Sequence, residues 1–342
     1  MLTIHSDDHR GHVMKGELSG GRFVPPFEKP ERADLVLARV REVGLGPVEP
    51  PRPFDRAAAL RVHDAGFVRF LETCWDEWSA SVHQGDAMAS MWPARRMRHV
   101  VPDEIEAKLG YYASTAESSI VAGTWRAVMA SAACALTAQR RIAAGERAVF
   151  ALCRPPGHHA AIDMFGGYCF LNNAAIAAQA FLDDGADRMA ILDVDFHHGN
   201  GTQDIFYRRG DVLFASLHGE PRHAFPHYLG YADETGDGDG EGCNLNYPMP
   251  RGTAWAAWSE ALEDACRQIA AFGPEALVVS LGVDAFKDDP ISFFRLESED
   301  FTRCGSRIAK LGQPTLFALE GGYAIDAIGV NAVNVLTGHE DG

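Results

Sequence analysis

No stretch of this chain approaches the ~20 consecutive apolar residues of a membrane-spanning helix. Its opening residues, MLTIHSDDHRGH, carry charge at once and hold no apolar signal core. Cysteine is sparse and unpatterned. Cys74, Cys134, Cys153, Cys169, Cys243, Cys266 and Cys304 are odd in number and nowhere spaced C-x-x-C. This argues against a disulfide framework or a zinc knuckle and fits a reducing compartment. Basic residues are in deficit, 31 Lys and Arg against 47 Asp and Glu, for a formal charge of −16. That removes the basic footprint expected of a nucleic-acid-binding protein. An acidic surface would instead attract cationic ligands over about 8–10 Å in physiological salt. Internal repeats, low-complexity tracts and obvious linkers are missing too. These absences lead to the expectation of a cytoplasmic protein without membrane or nucleic-acid partners.

What the chain does have, from residue 145 onward, is a series of short apolar runs alternating with helical patterns. AVFALC (148–153), MAILDV (189–194), VLFASL (212–217), ALVVSLGV (276–283) and TLFALE (315–320) are continuous apolar runs, as strands covered on both faces require. Between them NNAAIAAQAFLDDG (172–185) reads as a helix. Another, over 255–272, puts Trp258, Leu262, Ala265, Ile269 and Phe272 on one stripe. The first 145 residues read as more helical. PERADLVLARVREVG begins on Pro30 and stops at Gly44, and 122–143 gives a further helix. Residues 83–122 read as a long irregular loop with a basic cluster, ARRMRH (94–99), taken as a solvated loop. Such segments in compact domains are often functional or interface-forming. The alternation predicts an α/β protein with a mostly parallel central β-sheet flanked by helices on both faces. The 342 residues suffice for one large domain of that class.

The strand at 189–194 poses a physical problem. Ile191 and Leu192 belong in a core, yet Asp193, Asp195, His197 and His198 follow in ILDVDFHHGNGTQ. Buried charge is costly unless paired or bound to a metal. In open α/β sheets, ligands sit beyond the carboxyl ends of the strands. Asp193, Asp195 and His197 are spaced by two and project to one side if the chain stays extended. Three other strands end in the same way: ALVVSLGVDAF on Asp284, FALCRPPGHHA on His158 and His159, and TLFALEGGY on Tyr323. Singly, each has a plainer reading: a turn or capping Asp, a structural His, a glycine turn at Gly321 and Gly322, a core aromatic at Tyr168 or Phe225. Joint occurrence at four strand exits makes coincidence the poorer account. Asp195, His197 and Asp284 form a mixed oxygen and nitrogen set suited to zinc or another divalent first-row metal, with room for water and substrate. Two imidazoles could supply base and acid, and a phenol could stabilise an oxyanion. The kit is that of metal-assisted amide hydrolysis.

RPPGHHA, GGYCFLNN, DVDFHHGNGTQ, SLGVDAF and EGGY resemble the motifs of the histone deacetylase superfamily. KGELSGG, PPFEKPERA, VHDAGFVRFLETCWDEW and GYYASTAESSIVAGTW resemble its bacterial acetylpolyamine amidohydrolase branch. The resemblance implies a single deacetylase domain over residues 1–342 with the arginase/deacetylase-like fold. It implies one catalytic zinc per chain on Asp195, His197 and Asp284. It implies His158 as the general base with Asp193 as its partner, His159 as the general acid and Tyr323 as the oxyanion donor. Tyr168 and Phe225 match the aromatic walls of a narrow tunnel, Gly167 a backbone carbonyl near the scissile amide, and Ile291 a further apolar tunnel residue. The superfamily also holds structural potassium. A nearer site would use Asp193, Asp195, His197, Ser216 and Leu217, and a more distant one the carbonyls of Phe206, Arg209, Val212 and Cys243. One position departs from many protein deacetylases: the partner of His159 is Asn200 rather than Asp, which predicts a lower pKa for His159. In this branch a long loop in the first third packs across a dimer interface and narrows the entrance. The 83–122 segment matches it, which implies a homodimer.

Substrate choice turns on the rim. A polyamine is a slender polycation, so its site should be narrow with carboxylates set back from the metal. Glu17, Glu106 and Glu117 resemble the acidic residues of that entrance, though each reads equally well as solvated surface. The expected reaction is deacetylation of substrates of the acetylputrescine, acetylcadaverine and acetylspermidine class. A protein acetyl-lysine deacetylase would share all of the catalytic chemistry. A silent acetyl-group sensor would not need intact His158, His159 and Tyr323. A binuclear manganese hydrolase of the arginase type would need further bridging carboxylates where His198 and Gly199 stand.

Overall fold

A computed structural model describes residues 1–342. In chain order the strands are β1 (Leu2–Ile4), β2 (Glu17–Ser19), β3 (Arg22–Val24), β4 (Val48–Glu49), β5 (Ala148–Ala151), β6 (Met189–Asp193), β7 (Val212–Gly219), β8 (Asn244–Met249), β9 (Ala276–Leu281) and β10 (Thr315–Leu319). Eight of them form one sheet in the order β4-β1-β5-β10-β9-β6-β7-β8. All of its pairings are parallel. β2 and β3 pair as a separate antiparallel hairpin.

Helices cover both faces, which is why the strands read as unbroken apolar runs. They are α1 (Glu31–Glu42), α2 (Ala65–Ala80), α3 (Ile105–Tyr112), α4 (Thr124–Ala143), α5 (Asn173–Asp183), α6 (Asn200–Phe206), α7 (Trp255–Phe272), α8 (Ser298–Ala309) and α9 (Ile328–Asp341). Alternate residues of each strand serve opposite layers. Met189 and Ile191 of β6 pack with α2, α4 and α5, whereas Ala190 and Leu192 pack with α1, α7, α8 and α9. Local signals set the helix ends. Asn172 caps α5 by accepting from Ala175 N at 2.9 Å, and α7 stops on Gly273 at φ 69°, a conformation glycine adopts without strain. No helix is long and apolar enough to cross a membrane.

Two sequence expectations need revision. The 83–122 segment is not wholly irregular: it contains α3, and a bridge between Ala87 and Ile120 folds it back on itself with both residues buried. Eight residues of helix are too few for a clear periodic signal. The sequence reading also passed over α2, α8 and α9. α2 carries an N-cap at Asp64, which accepts from Phe67 N at 3.0 Å. α8 opens on a reciprocal capping box between Glu297 and Asp300. The order of the sheet makes β5, β10, β9 and β6 consecutive neighbours, so the four polar strand exits lie side by side.

Candidate active site

β6 ends at Asp193, so the chain from 193 to 197 does not stay extended. It winds instead. Asp195 N donates to Asp193 Oδ1 at 3.1 Å, and His197 N donates to Asp195 Oδ1 at 2.8 Å. These are turns in which an aspartate captures the amide two residues on. They turn Asp193 toward His158, and Asp195 with His197 toward Asp284.

The ligand atoms of Asp195, His197 and Asp284 all lie within 4.8 Å of one another, and both carboxylates are fully buried. Their ionic partners are imidazoles alone. Two carboxylates this close in a dry site resist sharing the charged state. Burial, with Asp195 adding to it, pushes Asp284 up to about 7. Burial also acts to raise Asp195, but His158 and His197 outweigh it and hold Asp195 low. The cradle is kept open by glycine. A Cβ at Gly282 or Gly321 would collide with Asp195, and the one at Gly321 would also stand 2.6 Å from Asp284 Oδ2. Gly321 N donates to Asp195 Oδ2 and Phe196 N to Asp284 Oδ1, each at 2.7 Å. A buried anionic cradle with three donors, oriented by main-chain amides and lacking a Lys or Arg counter-charge, fits a divalent cation.

Beside it stand two histidines with ring centroids 4.0 Å apart. His158 Nδ1 is 2.9 Å from Asp193 Oδ2, so in the neutral ring Nδ1 carries the proton and Nε2 is the accepting nitrogen. Burial opposes charge on His158, but Asp193 and Asp195 outweigh it and raise its pKa. His159 Nδ1 is 2.7 Å from Asn200 Oδ1. Burial first, then the neighbouring His158 and His197, lower its pKa, while Asp195 and the Asn200 hydrogen bond act to raise it. Tyr323 is buried, with its amide donating to Asp289 Oδ2 at 2.7 Å. The Arg32 guanidinium lies 4.7 Å from its ring centroid. Arg32 also donates to the carbonyls of Gly322 and Glu320, both at 2.6 Å.

A cavity of about 420 Å³ reaches this centre. Its lining includes His159, Gly167, Tyr168, His197, Phe225, Ile291 and Tyr323, together with Glu17 and Glu117. Gly167 (φ 54°) and Tyr168 (φ 66°) are both left-handed. A Cβ at Gly167 would collide with the His159 ring, so glycine is required there. Glu17 sits on β2 and is almost fully buried. It accepts from Tyr168 Oη at 2.9 Å and from Phe27 N at 3.1 Å, and burial pushes it up to about 7. Glu106 does not line the cavity; its Oε1 accepts from Ser90 at 2.9 Å. Ser216 faces Asp193 across the β6–β7 register, with its hydroxyl 2.9 Å from His218 Nδ1, and Leu217 is buried beside it. At the more distant set, Phe206 O accepts from Arg209 N and Cys243 O from Phe214 N, both at 2.9 Å.

Sequence reasoning missed Arg32, Asp289, Glu320, Phe293 and Arg251. The last two line the cavity. Glu320 carried a signal: it closes the apolar run TLFALE as Asp193 closes MAILD. Arg32 and Asp289 lie far in sequence from the groups they hold and gave none.

This geometry agrees with what the chain is similar to. A histone deacetylase domain is matched over residues 26–338. Acetylpolyamine amidohydrolase 2 of Pseudomonas aeruginosa is 60% identical over 340 residues, covering 99% of each chain. Acetylpolyamine amidohydrolase of Mycoplana ramosa is 57% identical over 338 residues, again covering 99% of each. A crystal structure of acetylpolyamine aminohydrolase from Burkholderia pseudomallei superimposes with a TM-score of 0.95 at 41% identity, over 99% of this chain and 98% of that one. With the matched domain running from ahead of α1 into α9, and its motifs at four adjacent strand exits, the chain belongs to the histone deacetylase family.

Proposed function

We propose that this protein is a zinc-dependent amidohydrolase that releases acetate from acetylated polyamines and diamines. The observation that carries the reading is the convergence of Asp195, His197 and Asp284, without a side-chain cation beyond imidazole, beside a cavity whose lining includes His197, Tyr168, Phe225 and the carboxylate-bearing Glu117. The names of the Pseudomonas and Mycoplana relatives support the polyamine class.

Asp195, His197 and Asp284 would hold one divalent ion. When bound it would supply Lewis acidity toward the amide carbonyl and make a neighbouring water more acidic. The chain's own groups do the rest. His158, its Nδ1 proton held by Asp193, presents Nε2 to take a proton from the attacking water. The Tyr323 hydroxyl donates to the oxyanion that develops on the carbonyl. His159 lines the cavity and delivers a proton to the departing amine. Burial and the neighbouring His158 and His197 keep His159 uncharged at rest, so the proton it passes to the amine is the one the attacking water gives up. Tyr168 and Phe225 exclude water and confine a slender substrate, with the Gly167 carbonyl available to the amide N–H. Structural potassium at Asp193, Asp195, His197, Ser216 and Leu217, and at Phe206, Arg209, Val212 and Cys243, belongs to the same reading.

Assembly is part of the proposal. Met91, Trp92, Met97, Val100 and Val101 are each exposed within 83–122, apolar side chains that a two-fold contact would cover while also shaping the entrance. The discriminating experiment compares acetylputrescine, acetylcadaverine, acetylspermidine and an acetyl-lysine peptide on one preparation. The acetylpolyamines are expected to give the higher kcat/KM; a peptide turned over faster than all three would overturn the substrate assignment.

A further inference from the structure

Below the cavity lies another carboxylate, one that neither the proposed metal site nor the proposed proton transfers employ. Glu320 is the first residue after β10 and is fully buried. Its own main chain is fixed at both ends: N donates to Leu281 O at 2.9 Å, and O accepts from Arg32 at 2.6 Å. Its Oε2 accepts two successive amides of the facing loop, Gly157 N at 2.6 Å and His158 N at 3.1 Å. Its Oε1 is buried without a hydrogen-bond partner. Such an oxygen is costly, so a residue needed only for volume would be apolar here.

The loop it holds, RPPGHH (154–159), carries both histidines. Pro155 and Pro156 have no amide to donate, so Gly157 and His158 bear the first N–H groups after Arg154, and both end on Glu320. The other side of the loop is packed tight. A Cβ at Gly157 would stand 2.5 Å from Asn173 N, and Pro155 O already accepts from Ser131 and Asn173. The carbonyls of the turn are held from other elements, Pro155 O by Ser131 and Asn173 and His158 O by Gly201 N and Thr202 N, whereas its two amides are held by Glu320.

We infer that Glu320 is a positioning residue for the hydrolysis: its carboxylate fixes the peptide planes of Gly157 and His158, and through them the His158 imidazole against Asp193. It also stands three positions before Tyr323 on the same short loop. One side chain thus registers the base-bearing loop against the phenol-bearing loop. The inference rests on the hydrolase reading above.

The test uses metal-loaded enzyme and the variants E320A and E320Q, each checked for metal content. Glu320→Ala removes both acceptors, and kcat should fall about 10- to 100-fold, the scale on which small misplacements act, with KM little changed. Glu320→Gln keeps one acceptor oxygen and should recover most of that loss. Amide hydrogen exchange supplies a readout independent of turnover: Gly157 and His158 should lose protection in E320A and retain it in E320Q. If E320A does not fold, Glu320→Asp replaces it. That variant keeps the charge but draws the oxygens back by one methylene, and it should lose kcat and protection alike. Wild-type kcat in E320A, or E320Q as poor as E320A by both readouts, would overturn the inference. A wild-type enzyme inactive on acetylpolyamines would instead refute the substrate reading and leave the exchange comparison to decide the role of Glu320.

Discussion

Replacing Glu117 by Gln removes one negative charge from the cavity wall while keeping the side chain's size and one acceptor oxygen. Burial raises the Glu117 pKa, partly offset by its own amide, the Thr115 hydroxyl and the Gly167 amide. A substrate ammonium beside it would therefore meet a carboxylate partly shielded from water. Two unit charges ~4 Å apart at an effective dielectric of ~20 attract by about 4 kcal/mol. Desolvation and side-chain ordering oppose this, and Gln retains a neutral hydrogen bond. The difference should be about 1–3 kcal/mol, or roughly 5- to 150-fold in kcat/KM. It should appear in KM, because the contact exists before and during reaction, and shrink with salt. The control is Glu17→Gln. Both Glu17 oxygens are committed, to Tyr168 Oη and Phe27 N, so that variant should disturb the tunnel wall for every substrate. The assay measures kcat/KM on acetylspermidine and on a neutral N-alkylacetamide for each variant. Equal losses on both substrates in E117Q would show that Glu117 is structural. A loss confined to the charged substrate in E17Q would reverse the reasoning.

Tyr323→Phe keeps the ring and removes the hydroxyl; kcat should drop about 10²- to 10³-fold, and near-wild-type turnover would refute the oxyanion role. Elemental analysis should find one zinc-class ion per chain, with activity lost on chelation and restored by Zn²⁺ or Co²⁺; two such ions per site would favour the arginase type. His63 is buried, with Nδ1 2.8 Å from Ala161 O while Nε2 accepts from Asn172 N at 2.9 Å. Burial lowers its pKa from 6.5 to about 4. Its neutral form therefore contributes stability above pH ~6.5 that is lost as pH falls toward ~4, up to about 3 kcal/mol. Urea unfolding at pH 7.5 and pH 5 should show a smaller pH penalty in H63Q than in wild type, and equal penalties would refute the assignment. Sedimentation at micromolar concentration should show a dimer that Trp92→Glu weakens; a fully active wild-type monomer would contradict the interface.

The sheet and its exits were legible because buried parallel strands leave continuous apolar runs, and because four of those runs end in Asp, His or Gly-Gly-Tyr. The pairing of His158 with Asp193 and of His159 with Asn200 followed from motif resemblance and is reproduced at 2.9 and 2.7 Å. The path of the chain from Asp193 to His197 was misread, because alternate spacing is a strand signal only while the strand lasts. The side-chain turns that replace it look the same on paper. α3 was invisible for its brevity. Glu17 was expected at an acidic entrance, with solvated surface as the equal alternative, because nothing local shows that its partner is Tyr168, 151 residues away. Arg32 and Asp289 escaped for the same reason: their meaning lies in contacts the chain makes only once folded.

The strand order has a further consequence, for synthesis rather than catalysis. β10 is the last strand to leave the ribosome, yet it occupies a central slot between β5 and β9. Until it arrives, the nascent chain can hold at most two separate half-sheets, β4-β1-β5 and β9-β6-β7-β8, with apolar edges facing an empty gap. His158 follows one bank of that gap, Asp284 the other, and Tyr323 comes in with the strand that fills it. The centre thus assembles in a single late event, when the final strand zips the halves together. Such non-local parallel pairing is slow and exposes sticky edges meanwhile. A chain interrupted before β10 would therefore be a client for chaperones and proteases, not a partly active enzyme.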